Sequence, residues 1–220
     1  MIPCPRVHLN LKDEWQQVRS IFHAVPPTPL RQAWREDPEP EFRPASVRCG
    51  RDDQALWIYA VLEDEDIRNP VQENHQPAFE FGDVFEIFLR PLGGTTYYEL
   101  HVTPHHHIFQ LRIPSSEAFY QQRNSGLNPD WAVLEPLFSS RVNIQAEKQQ
   151  WQVLVRVEFA KLDHKTPPQP GTEWRISFSR YDYSQDRNFP VLSSTSHHTK
   201  IDFHRQEEWN RMIFDAEKII

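Results

Sequence analysis

The residues able to do chemistry are few, and their spacing limits what that chemistry is. Glu86 lies between Phe85 and Ile87 in the apolar run "DVFEIFLRP". A carboxylate buried there without a partner is costly. It should therefore meet a donor from Arg112, Arg180 or His101, either as a structural ion pair or as one wall of a ligand site. Glu63 to Asp66, "EDED", group carboxylates at a strand end, and Asp64 and Asp66 are candidate ligands for a calcium ion. The spacing of an EF-hand is absent, and acidic turns are ordinarily solvated. In the run His105-His106-His107, strand alternation would put His105 and His107 on one side. Zinc or copper would need further ligands, from His101 or from His197-His198. No HExxH spacing accompanies them, and a turn after Pro104 accounts for the run without metal. "SSTS" at 193–196 lacks a G-x-S-x-G setting beside His197. No carboxylate pair shows a defined separation for glycoside hydrolysis, and glycine-rich phosphate loops are missing. Met212 is the one methionine besides Met1, and CxxCH is absent, so haem ligation has little support. Cys4 and Cys49 lie outside CxxC spacing and read as two buried free thiols rather than a bridge.

The frame that must hold these residues is β in character. The chain has 220 residues, enough for one large domain or two small ones. Its 12% aromatic content and 19 prolines are high, while six glycines are too few for a low-complexity chain. "SVRCG", "ALWIYAVLE", "DVFEIFLRP", "TYYELHVTP" and "HIFQLRI" alternate as strands, with a hairpin turn at Leu92-Gly93-Gly94-Thr95. "ALWIYAVLE" is apolar on both faces and reads as a central strand. "RVNIQAE", "QWQVLVRVEF" and "EWRISFSRYDY" follow, and "EFAKL" reads as a helical turn before the proline loop "DHKTPPQPG". "FHRQEEWNRMIF" reads as a helical turn and a closing strand. Trp57, Trp151, Trp174 and Trp209 are expected to pack in the interior. About eight to ten strands predict an all-β, two-sheet antiparallel β-sandwich, immunoglobulin-like or jelly-roll in type, with short helical turns. A closed barrel is the second choice. Residues 1–44, Pro-rich from 25 on, read as an N-terminal arm packing on a domain that spans 45–220.

A net charge of -7 with no basic run argues against nucleic acid as a partner. No apolar run approaches the roughly 20 residues of a membrane span. The N-terminus has no signal-peptide pattern, so the expected compartment is cytoplasmic if the sequence is complete and exported if a leader has been removed.

Taken in order, "LWIYAVLEDEDI", "FGDVFEIFLRP", "YYELHVTP", "WQVLVRVEFAKL", "GTEWRISFSRYD" and "FHRQEEWNRMIF" resemble the family 9 carbohydrate-binding modules. The likeness runs over roughly residues 45 to 214. It implies a β-sandwich that holds a saccharide without catalysis, between two aromatic rings and in-plane polar groups. The resemblance assigns the rings to Phe79 or Phe81 and to Phe203, which His204 follows. It assigns the polar contacts to Glu86 and to His101, which stands where an arginine is frequent. The usual Pro and Gly of the tail are here Gln206 and Asn210. No cofactor is required, and a structural calcium is common among relatives. The rival expectations are a glycoside hydrolase using the same cleft, and a degenerate module serving as a protein-interaction domain.

Overall fold

The computed structural model describes residues 1–162 and 167–219. The start of the expected proline loop, residues 163–166, lies outside the described residues. In chain order the strands are β1 (Ile2–Arg6), β2 (Thr28–Pro29), β3 (Ala45–Arg51), β4 (Ala55–Glu63), β5 (Val84–Arg90) and β6 (Tyr97–Val102). They continue with β7 (Ile108–Ile113), β8 (Phe138–Gln145), β9 (Gln150–Glu158), β10 (Glu173–Asp182), β11 (Val191–Ser194) and β12 (Asn210–Ile219). Helix α1 spans Trp15–His23 and α2 spans Ser116–Gln122. The expected helical turns fall at Phe159–Lys161 and Gln206–Glu208.

One hydrogen-bonded path joins the strands in the order β7-β6-β5-β10-β12-β1-β3-β4-β9-β8, with β11 beside β10 and β2 beside β3. The main core contains Phe85, Ile87 and Leu89 of β5 together with Ile58 and Ala60 of β4 and Val153 and Val155 of β9. These strands are far apart along the path, so the sheet must curl until its two halves face each other across one core. The expectation of two separate antiparallel sheets is corrected accordingly. The molecule is mostly β, but its sheet is continuous and mixed, because β1 runs parallel to both β12 and β3. That strand lies in the segment expected to be an arm. Its sequence, IPCPR, carries two prolines, which are depleted in strands and mask the signal.

The reading of β4 as a central strand is borne out. It pairs with β3 and β9. Its Leu56, Ile58, Ala60 and Leu62 enter the main core. Trp57 and Tyr59 point the other way and pack with Val18 and Phe22 of α1. Trp57, Trp151, Trp174 and Trp209 are all buried, as expected. Cys4 and Cys49 are buried free thiols.

Candidate functional site

Strand alternation decides what faces the site. Along β5, β6 and β10, Phe85, Ile87, Leu100, Val102, Ile176 and Phe178 point into the main core. Their neighbours Glu86, Phe88, Glu99, His101 and Tyr181 therefore point to the opposite face. Two segments cover that face: residues 114–137, which include α2, and residues 199–209 ahead of β12. Between sheet and cover lies a cleft of about 290 Å³. Glu86, Phe88, Glu99, Leu111 and Tyr181 form its sheet side. Phe119, Arg123 and Trp131 line it from one cover segment, and Asp202, Phe203 and His204 from the other. Phe79 and Glu80, from the loop before β5, complete the wall.

The rings are in mutual contact. Tyr181 stands between Phe79 and Phe203, with ring centroids 5.8 and 6.0 Å away. His204 stacks on Phe119 at 3.5 Å and 16° and lies edge-on to Phe88. Trp209 donates its indole N–H to the Phe203 carbonyl at 2.7 Å, holding the C-terminal turn in place. Gly82 fixes the Phe79 loop from the other side. A Cβ there would meet Asn69 Cα at 2.6 Å and the Arg68 carbonyl at 2.7 Å, so only glycine lets these chains pass.

Beneath the rings sits a buried acid–imidazole cluster. Glu86 and His101 are opposite each other in the β5–β6 register. His101 Nε2 lies 2.7 Å from Glu99 Oε1 and 3.2 Å from Glu86 Oε1. Burial favours neutral imidazole, but the two carboxylates outweigh it and raise the His101 pKa. Burial also pushes Glu86 up to about 8, with His101 opposing and Glu99 reinforcing the shift. For Glu99 burial acts upward too, yet the hydrogen bond from His101 and the charges of His204 and His101 carry it below the usual carboxylate range. The charge pair is thus His101 with Glu99, the closer contact, and burial favours the protonated form of Glu86. Glu86 Oε2 is buried without a hydrogen-bond partner. Burial depresses His204 to about 4, so that ring is neutral; its Nδ1 bonds the Tyr97 hydroxyl at 2.8 Å. Asp202 is held by Arg123 at 2.7 Å and by Tyr120 at 3.2 Å.

Of the residues singled out in sequence, Phe79, Glu86, Phe203 and His204 line one cleft. His101 stands behind Glu86 and Glu99 and is fully buried. Phe81 does not line the cleft and is 47% exposed. Of the three donors expected for Glu86, His101 is the one beside it, at 3.2 Å, and Arg180 is committed to Asp64 and Asp182. Glu99 and Tyr181 went unrecognised in the sequence. Alternation in "YYELHV" puts Glu99 beside His101, so a signal existed for the first. None marked Phe119, Arg123 and Trp131, which belong to a loop segment without strand periodicity.

Two further groups lie apart from the cleft. His105 to His107 form the turn between β6 and β7. The Thr103 and His107 backbones bond at 3.0 Å, and His106 has a positive φ of 66°. Asp64 is buried with Asp83 and Asp182. The cation they meet is Arg180, whose guanidinium lies 3.1 Å from Asp64 and 3.0 Å from Asp182. Asp66 instead accepts the Gln185 backbone N–H at 2.7 Å. Calcium takes about six to eight oxygens, and a donor set already centred on a guanidinium does not fit it. In the Ser177, Ser179 and Ser194 group, the Ser194 hydroxyl donates to the Phe178 carbonyl, which is a packing role.

No protein-family model and no curated protein matches the sequence. Solved structures do. A protein from Bacteroides uniformis, provisionally described as carbohydrate-binding, superposes with a TM-score of 0.74 at 14% identity over 97% of this chain and 98% of its own. A family 9 carbohydrate-binding module from Caldicellulosiruptor kristjanssonii, in complex with cellotriose, gives 0.68 at 12% identity over 99% and 94%. The glucose complex from the same organism gives 0.65 at 11% identity over 99% and 96%. The chain therefore shares its fold with these structures, two of which are family 9 carbohydrate-binding modules.

Proposed function

We propose that the chain is a non-catalytic module that binds a saccharide, holding its terminal residue in the cleft. The observation that carries this reading is that Phe79 and Glu86 line one aromatic-walled cavity with Phe203, which lies far along the chain from both. Two of the fold neighbours are complexes with glucose and with cellotriose. A sugar ring has C–H faces that suit aromatic walls and a hydroxyl edge that suits carboxylates. A volume of about 290 Å³ sits at the small end of ligand pockets, which favours a single residue at a chain end. In this reading Phe79, Tyr181 and Phe203 face the ring, Glu86 and Glu99 meet its hydroxyls, and His101 positions both acids from behind. Calorimetric titration with glucose, cellobiose and cellotriose tests it. Binding is expected, and Phe79→Ala should weaken it roughly tenfold. A broad glycan screen with no binder would sink the proposal.

A hydrolytic reading draws on one observation, the opposite displacement of the Glu86 and Glu99 pKa values. Both acids are tied to the same imidazole, which leaves neither placed for the two-carboxylate division of labour. Turnover of a chromogenic glycoside, lost in Glu86→Gln, would favour the enzyme instead.

A further inference from the structure

The inner end of the cleft is walled by two carboxyl groups, Glu86 and Glu99. Glu86 is 2% exposed, lines the cavity, and leaves Oε2 without a partner. Glu99 lines it as well, and its Oε2 is 3.6 Å from His204 Nε2, beyond a hydrogen bond. His101 Nε2 is hydrogen-bonded to Glu99 Oε1 at 2.7 Å and lies 3.2 Å from Glu86 Oε1, so it is committed within the cluster. His204 brings no charge. Arg123, the one guanidinium on the wall, is bound to Asp202, with its side chain 46% exposed. A hydroxyl entering this site brings one donor and adds acceptors. An ammonium brings three donors, no acceptor and a positive charge. Phe79, Tyr181 and Phe203 line the same cavity as the acids, and aromatic rings are compatible with a bound cation.

We propose that the cleft selects saccharides whose terminal residue carries a free amine, a glucosamine-type hexosamine, with the ammonium between Glu86 and Glu99. This rests on the saccharide reading above and sharpens it. N-acetylation removes the charge and two donors, and a uronic acid would set a carboxylate against two others. The titratable groups facing Glu86 are Glu99 and His101 from β6 and Tyr181 from β10. In the empty cleft Glu86 keeps its proton because burial raises its pKa to about 8. When the ammonium arrives the carboxyl ionises: the O–H bond breaks, the carboxylate pairs with the ammonium, and the proton passes to bulk buffer.

The test is calorimetry on the intact chain at neutral pH with glucosamine, glucose and N-acetylglucosamine, each in two buffers of different ionisation enthalpy. Glucosamine is expected to bind about tenfold more tightly than either neutral sugar, the value of one charge-assisted contact. It should also release a proton that the neutral sugars do not. Glu86→Gln should abolish both the release and the preference. Glucose or N-acetylglucosamine binding as tightly as glucosamine overturns the amine assignment and leaves saccharide binding standing. A preference that persists in Glu86→Gln, or that comes without proton release, overturns the role given to Glu86. Methylamine binding as well as glucosamine, with neither neutral sugar bound, overturns both readings, as does binding of nothing. If Glu86→Gln fails to fold, the comparison of ligands on the unaltered chain decides alone.

Discussion

Glu86 occupies a strand position between two core side chains, and that alone sends its carboxyl to the opposite face. What it meets there sets its behaviour with pH. In the unfolded chain it ionises near 4.5, whereas in the folded chain burial pushes it to about 8. Between those values the folded state holds a proton that the unfolded state has released. The unfolded state binds fewer protons, so stability falls as pH rises through this window. Glu99 has the opposite sign, since its lowered pKa contributes stability that is lost on acidification. Between about pH 5 and pH 8 the melting temperature of the parent is expected to fall relative to that of Glu86→Gln, where the neutral amide removes this titration. Equal slopes in the two proteins would mean that Glu86 is ionised in the native state. From the residue types alone, Glu86 needed a donor and three were offered. Nothing in the residue pattern ranked His101 above Arg112 and Arg180, because the choice depends on strand register.

At the scale of elements, the loop that carries Phe79 to Phe81 is held by a close backbone passage at Gly82. Its missing side chain leaves room for residues 68 and 69, and Asp83 accepts the backbone N–H of Tyr183 at 2.8 Å. Gly82→Ala would force backbone atoms apart rather than bend a side chain. It should cost about 1–3 kcal/mol in chemical denaturation, the range for overpacking, and, on the proposed function, weaken saccharide binding by displacing Phe79. A variant as stable as the parent would show that the two backbones can separate freely. The hairpin β5–β6 was legible from alternation and turn residues. β11 is four residues long, too short for periodicity to register. Helix α2 was also missed. It has no buried residue of its own, so it lacks the apolar stripe that marks a helix packed on a core. Ser115, whose side chain accepts the Ala118 N–H, was its clearest signal.

Across the whole molecule, β1 joins the two halves of the curled sheet. It pairs with β12 on one side and β3 on the other, and its Ile2 and Cys4 lie in the main core. Removing residues 1–6 would expose the edges of both neighbours and open the core between them. The truncated chain is expected to lose cooperative unfolding, measured by calorimetry and near-UV circular dichroism. A sharp transition near the parent's would mean that the halves are held by their facing side chains alone. Most strands, their inward faces and the burial of Trp57, Trp151, Trp174 and Trp209 could be read from the sequence. They depend on local alternation, and a side chain's face follows from its neighbours. The curl of the sheet, the parallel pairings of β1 and the meeting of Glu86 with Phe203 and Phe119 were decided only by the tertiary structure. Alternation assigns a residue to a face of its strand. What covers that face is set by contacts between segments far apart in the chain, which no local pattern encodes.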